Sequence, residues 1–499
     1  MPLKTLKFLD ETLRDGQQTL WATRMKTESM LPIAPVMDEA GYYQICAMAP
    51  VSFETAAMYL YENPWERLRL LRQQMPKAKL DFLVRSRNVV GWRHQPNDVV
   101  ELFLKTIRRI GIDSIKVFDG LLDYRNIEFH LKVGKQLGFQ VKSLVSFAVS
   151  PAHTDEYMAG KARELVRLGV DAVIQSDPAG VLTPERAQTL FPAVREAIGD
   201  DIELQMSCHA TTGLANECYR MGMRAGVDVL WTTSRPLSYK SSHPAVIDVL
   251  QIAKEEGRPT GLDEGRLREI DDWFYWVAYQ EKRPVPEPVK FDPRFYEQYA
   301  GHQIPGGMIS NMIQQLTDLG LQQRLPEVLE EAARVRAELG YPVMVTPFSQ
   351  FVGVQATLNV IEGERYRTVP NDIRLYARGY YGQPIVPLDP NVQDRLVGDE
   401  PMLDALEGVE EPILPKVRRE HGPFASDEEL LMFLFLNPAA LSDFKKKEKK
   451  ITWDTRRSPL SALIRELSRR GHLKSVHVEN RTLRLSLSYS RLPPSAAGS

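Results

Sequence analysis

The segment Thr12-Leu-Arg-Asp-Gly16 sets an arginine beside a carboxylate directly after a short apolar run that includes Leu6 and Phe8. An Asp in that position can ligate a divalent metal, and an Arg can clamp a carboxylate. Gln18 follows a turn later. Polar residues close four further apolar runs in the same way. They are Arg85 in Leu83-Val-Arg85, Asp119 after Phe118, Ser176 and Asp177 in Gln175-Ser-Asp-Pro-Ala-Gly180, and His209 and Thr211 in Ser207-Cys-His-Ala-Thr211. Two arginines in one site point to an anionic, carboxylate-type substrate. A threonine hydroxyl such as that of Thr211 is weakly acidic, so it relays a proton only when a partner gives or takes one in the same step. Singly, an Arg or Asp after a strand is an ordinary cap or ion pair. As a set, the residues ask for a common mouth.

The elements that would supply that mouth repeat along the chain. Eight β-like runs alternate with helical patterns at intervals of roughly 30 residues, the rhythm of βα units. They are Leu6–Asp10, Tyr43–Ala47, Leu80–Arg85, Ser114–Asp119, Val141–Phe147, Ala172–Asp177, Glu203–Ser207 and Val227–Thr232. Gly111, Gly138, Gly169 and Gly226 stand where helix C-caps belong. Eight repeats in this span predict an α/β fold, a closed (β/α)8 TIM barrel over residues 1–244 whose active site lies at the C-terminal ends of the strands. Residues 245–415 read as a mostly helical annex that leans over that face, broken by Arg283-Pro-Val-Pro-Glu-Pro288 and by Gly306-Gly307. Residues 416–499 form a small α+β region with a helix at Ser461–Arg470 and strands at Lys474–Glu479 and Thr482–Tyr489. The lysine run Lys445–Lys450 reads as a solvated linker, and Pro493–Ser499 as a frayed end.

Composition bounds the function. The chain has 499 residues, 43% of them hydrophobic and 26% charged, with a net charge of −2. That is ordinary for a globular protein of two or three domains and gives no footprint for nucleic acid. The three cysteines, Cys46, Cys208 and Cys218, lack the spacing of a disulfide framework or zinc cluster and fit a reducing cytoplasm. The first residues have no signal-peptide core, and no run reaches the ~20 apolar residues of a membrane span.

Longer runs carry a resemblance. They include Thr12-Leu-Arg-Asp-Gly-Gln-Gln-Thr-Leu-Trp-Ala-Thr-Arg24, Asn63-Pro-Trp-Glu-Arg-Leu-Arg69, Ala179-Gly-Val-Leu-Thr-Pro184, Cys208-His-Ala-Thr-Thr-Gly-Leu214 and Gln303-Ile-Pro-Gly-Gly-Met-Ile-Ser-Asn311. From about residue 5 to 390 the chain resembles the biotin-dependent carboxyltransferases: the carboxyltransferase domain of pyruvate carboxylase, the α subunit of oxaloacetate decarboxylase and the pyruvate-binding subunit of transcarboxylase. The resemblance implies transfer of CO2 between carboxybiotin and pyruvate or a related α-keto acid. It implies that Arg14 and Gln18 bind the keto acid, that Arg85 holds the carboxyl group in transit and that Thr211 shuttles a proton. Asp15 and His209 would be two of four metal ligands. No Met-Lys-Met biotinylation signature and no biotin carboxylase domain are present, so the biotin carrier protein and the biotin carboxylase are expected as separate chains. Self-association into a homo-oligomer is expected by analogy.

The remaining ligand positions depart from the family. Ser176 stands where the family carries a carbamylated lysine, and Ser207 where it carries the first histidine of a His-x-His pair. Residues alternate in facing along a strand, so Cys208 cannot stand in for that histidine. One Asp, one His and two serines make a poor site for Zn2+, Mn2+ or Co2+. Nearby, the family's Trp-Gly-Gly-Ala-Thr-Phe is Met48-Ala-Pro-Val-Ser-Phe53, its tyrosine after the third strand is Trp92, and its His-Gln pair is Gln17-Gln18. Three readings follow: a carboxyltransferase working with an altered or absent metal, a metal-free paralogue acting as a binding or scaffold subunit, and a barrel lyase on another keto acid.

Overall fold

The computed structural model describes residues 4–453 apart from 92, 306–308, 310, 311, 314, 315 and 319, and beyond them residues 464, 467, 475–479 and 484–488. Trp92, Gly306, Gly307, most of the expected helix Ser461–Arg470 and the expected frayed end lie outside the described residues. Eight strands form the barrel: β1 (Lys7–Asp10), β2 (Gln44–Met48), β3 (Leu80–Arg85), β4 (Ser114–Phe118), β5 (Gln140–Ser146), β6 (Ala172–Asp177), β7 (Glu203–Cys208) and β8 (Val229–Thr232). They pair in parallel in sequence order, and β1 closes the ring on β8 with Leu9 opposite Trp231. The eight runs expected from sequence are these strands, shifted by two residues or fewer at each end. Gly111, Gly138, Gly169 and Gly226 all take positive φ, as the cap assignment requires. β9 (Ser475–Glu479) and β10 (Arg484–Ser488) pair as an antiparallel hairpin.

The strand alternation builds two interiors. Outward-facing residues such as Ile45, Phe82, Val117 and Met206 pack under the surrounding helices in the main core. Inward-facing Leu9, Cys46, Leu83, Leu144, Ile174, Val229 and Trp231 fill the barrel itself. A fully buried charged layer shares that interior. Lys116 Nζ lies 2.9 Å from Asp81 Oδ2, 3.9 Å from the centre of the Trp231 ring and in contact with Glu11. Lys142 Nζ lies 2.7 Å from Asp81 Oδ1. Each charge has an opposite partner, which makes a dry ionic layer tolerable. Burial alone would push the Asp81 carboxyl up, but the two lysines outweigh it and bring the pKa down to about 2.

The described C-terminal helices do not stand apart from the barrel. Leu431, Met432 and Phe435 of the helix Asp427–Phe435, together with Phe444, join the main core. Phe435 meets Phe53 and Phe103 edge-on, at ring separations of 6.1 and 5.8 Å. The annex has its own core, built on the helices Leu325–Glu338, Phe348–Glu362, Asn371–Ala377 and Pro390–Val397, and Leu121 from the loop after β4 belongs to it. Gly120 makes that seam close: a Cβ there would come within 2.5 Å of the Phe348 ring. Among the described residues no helix is long and apolar enough to cross a membrane.

Candidate functional site

The chain leaves β1 through a wide π-helical turn, Thr12–Gly16, and continues into the helix Gln17–Leu20. Asp10 fixes the corner by accepting from Thr12 N at 3.1 Å and Thr12 Oγ1 at 2.7 Å, and Thr12 Oγ1 in turn accepts from Ser234 N at 2.8 Å. The first turn is thereby tied to the β8 loop, and Arg14, Asp15 and Gln18 are presented at the strand ends. Arg14 Nη1 donates to Asp15 Oδ1 at 2.5 Å and lies 3.6 Å from Glu11 Oε2. Arg14 Nε and Gln18 Oε1 are buried without a hydrogen-bond partner. Buried polar atoms are ordinarily satisfied, so a pair of orphans on one helical face marks a place for a ligand.

Asp15 Oδ2 faces two imidazoles. His209 Nε2 lies 2.9 Å away and His243 Nδ1 lies 3.2 Å away, and the two rings meet edge-to-face at 4.8 Å. The ligand atoms of Asp15, His209 and His243 all fall within 4.8 Å of one another. Burial alone would push the Asp15 carboxyl up. The Arg14 guanidinium and His209 overcome it and hold Asp15 well below the usual carboxylate range. Burial pulls His209 down, but the Asp15 charge more than offsets this and its pKa ends above the ordinary value. For His243 burial wins and the pKa falls. A second acidic group, Glu11, Cys46 and Asp81, also lies close together, but the Lys116 ammonium already occupies its centre of charge.

Asp15 and His209 were named from sequence; His243, which the structure brings beside them, was not. His243 sits on the loop after β8, which turns through Tyr239 and Lys240, both in the left-handed region (φ 68° and 50°). Ala210 N donates to Ser242 O at 2.8 Å and draws the loop across the end of β7. His243 Nε2 then meets Ser207 Oγ at 2.9 Å. Ser176 is the register partner of Ser207, and Ser146 of Ser176, so three small hydroxyl residues run across β5, β6 and β7 on the inner face. Cys208 faces outward as expected, with Sγ 3.4 Å from Asp177 Oδ2 and 3.5 Å from the carbonyl of His209.

Arg85 ends β3, with Nη1 donating to Gly91 O at 3.0 Å. Burial lowers its pKa, the Glu54 carboxylate partly offsets this, and the Arg14 charge lowers it further, which puts both arginines at one mouth. Thr211 is half-buried on the β7 loop, near Tyr299 of the annex, whose hydroxyl donates to Ala179 O at 3.0 Å. Gly180 (φ +72°) lets this loop settle: a Cβ there would lie 2.6 Å from His209 O and 2.9 Å from Thr211 N. Asp119 and Asp177 are engaged by their own loops, Asp119 while lining one cavity with Arg85. Asp119 accepts from Ser86 Oγ, Asn126 Nδ2, Leu121 N and Asp123 N, and Asp177 from Gly180 N and Leu182 N. Both carboxylates brace loops. A small cavity of about 20 Å3 lies between Arg85, Asn88, His94, Asp119 and annex residues Phe348 and Tyr381.

Comparisons with known proteins agree with this geometry. Residues 300–483 match the family of the conserved carboxylase domain. The chain is 36% identical over 485 residues to a pyruvate carboxylase subunit of Methanothermobacter thermautotrophicus, covering 96% of this chain and 83% of that one. It is also 36% identical to the 2-oxoglutarate carboxylase large subunit of Hydrogenobacter thermophilus, over 79% of this chain and 60% of that one. Among solved structures, a variant of the carboxyl transferase domain of Rhizobium etli pyruvate carboxylase with pyruvate superposes with a TM-score of 0.82 at 27% identity, covering 89% of this chain and 77% of that one. The chain belongs to the biotin-dependent carboxyltransferase family.

Proposed function

We propose that this chain is a carboxyltransferase subunit that moves a carboxyl group between carboxybiotin, brought by a separate carrier protein, and pyruvate or a related α-keto acid. The observation that carries the reading is the buried, unpartnered pair Arg14 Nε and Gln18 Oε1 beside a second arginine. A keto acid supplies the carboxylate that the Arg14 guanidinium wants and a carbonyl oxygen that accepts from the Gln18 amide N–H once the amide is turned to present it. Arg85, buried at the end of β3, suits the carboxyl group that passes between the two reactants.

Thr211 does the proton work. Carboxybiotin loses CO2 and its ureido nitrogen takes the Thr211 hydroxyl proton, while the Thr211 oxygen takes a proton from the keto acid's methyl group. The resulting enolate attacks CO2 through carbon and forms the C–C bond of the β-carboxylated product. Thr211 ends as it began. Tyr299 of the annex stands beside that hydroxyl. Of the family's ligands for a divalent metal, Asp15 and His209 are in place to hold it; when bound, it would polarise the keto acid's carbonyl and favour the enolate. Carrier and biotin carboxylase act as separate chains, and three free, buried cysteines suit a reducing cytoplasm.

The test is oxaloacetate breakdown with added biotin, read as pyruvate through a lactate dehydrogenase couple. Biotin-dependent turnover is expected. No stimulation by biotin with any of pyruvate, 2-oxobutyrate or 2-oxoglutarate and their carboxylated products would end the proposal. Thr211→Ala should cost about 10²–10⁴ in rate, the scale of general acid–base catalysis.

A further inference from the structure

The geometry points to His243 as a relocated metal ligand, so that this chain builds its divalent-metal site from Asp15, His209 and His243 without a carbamylated lysine. The metal itself is expected from the carboxyltransferase reading, on which this assignment rests.

Three observations support it. Two atoms bound to one metal at about 2.1 Å and at angles between 90° and tetrahedral lie about 3.0–3.4 Å apart. The Asp15 Oδ2 separations from His209 Nε2 and His243 Nδ1, 2.9 and 3.2 Å, fall at or close to that range. The Arg14 guanidinium takes Oδ1, and both imidazoles converge on Oδ2. Next, His243 is 1% exposed, and its buried Nδ1 is aimed at Asp15 Oδ2, 3.2 Å away, without meeting strict hydrogen-bond geometry. A buried imidazole nitrogen aimed at a carboxylate that also faces a second imidazole is the arrangement a metal would join. Finally, the other nitrogen of His243 is held by Ser207 Oγ at 2.9 Å, the outer hydrogen bond that fixes a ligating imidazole's tautomer and orientation.

The serines now have a physical account. A histidine at Ser207 would occupy the space that the His243 ring fills. Ser176, in register beside it, offers no amine to carbamylate. Two imidazoles and one carboxylate on one side of a metal leave positions open for water and substrate, a donor set known from three-ligand catalytic sites.

The experiment uses the full-length protein stripped with a chelator and titrated with Mn2+, in buffer purged of CO2 and again with bicarbonate. One Mn2+ per chain with the same affinity in both buffers is expected. Pulsed EPR of the Mn2+ protein should count two imidazole nitrogens, a reading that needs no variant. His243→Gln should weaken binding about 100-fold or more, and Ser207→Ala about 10–100-fold, the usual cost of an outer partner. Binding that requires bicarbonate, one imidazole in the EPR, or unchanged affinity in folded H243Q would each overturn the assignment. Absence of any Mn2+, Zn2+ or Co2+ binding would overturn it too. Metal bound through both imidazoles with no biotin-dependent turnover leaves this ligand set standing and rejects the carboxyl-transfer reading alone.

Discussion

Substituting Gly180 by Ala tests whether the β7 loop does the chemistry. The residue lies at φ +72°, and a Cβ would meet His209 O at 2.6 Å and Thr211 N at 2.9 Å. Both are backbone atoms, so neither can swing away as a side-chain tip would. Reaching even a tight contact of 3.0 Å requires the His209 carbonyl to move by about 0.4 Å. The left-handed conformation adds about 1–2 kcal/mol of strain. The loop bearing His209 and Thr211 is the part that yields, while Arg14 and Gln18, on the β1 turn, keep their places. Catalytic groups misplaced on this scale cost rate far more than binding, up to about 100-fold for 1 Å. We expect kcat for biotin-dependent oxaloacetate decarboxylation to fall about tenfold or more, with KM for the keto acid nearly unchanged. The same substitution in a Thr211→Ala background should add little, because the two changes act on one group. Full kcat in G180A, or an equal fractional loss with and without Thr211, would refute the assignment of the proton relay to this loop.

Other predictions follow from the mouth and the layer beneath it. Arg14→Gln removes a charge-assisted contact worth about 1.5–3 kcal/mol, so oxamate binding measured by calorimetry should weaken about 10–150-fold; an unchanged Kd would remove Arg14 from the substrate site. Asp81→Asn leaves Lys116 and Lys142 short of a partner and should destabilise the fold by about 3–5 kcal/mol at pH 7 in urea titrations. The Asp81 carboxyl titrates at about 2 in the folded protein, below the roughly 3.9 of an unfolded chain, so its contribution is complete above about pH 5 and fades as pH falls through 4 to 2. The gap between wild type and D81N should narrow over that window, and a gap independent of pH would show that the ion layer is not its source. Ser207→His should collide with His243, whose Nε2 lies 2.9 Å from Ser207 Oγ, and weaken Mn2+ binding rather than strengthen it.

The barrel was legible because each strand is a short apolar run and glycines such as Gly111 and Gly169 end the helices before them. Strand ends then named Arg14, Asp15, Arg85, Ser176, Ser207 and His209, since in this architecture the ends converge whatever the loops do. His243 was not legible by that route. It belongs to no strand, and its place depends on left-handed turns at Tyr239 and Lys240 and on the bond from Ala210 to Ser242, none of which has a periodic signature. The pairing of Glu11, Asp81, Lys116 and Lys142 was equally hidden, because four charges distributed over β3, β4, β5 and the turn after β1 look solvated until the ring closes. Asp119 and Asp177 also end strands, and the hydrogen bonds by which each braces its loop were not legible from that position.

The dry ionic layer across the barrel has a consequence for traffic. With Lys116 and Lys142 locked between Asp81, Glu11 and Gln44, nothing hydrated passes through the bottom of the cylinder. On the proposed reading, keto acid, carrier arm and product would all use the opposite end, where the annex packs against the strand tips. The Phe348 ring lodged against Gly120 stands at that threshold. On the proposed carboxyl-transfer reading, arrival and departure would therefore use the same end of the barrel.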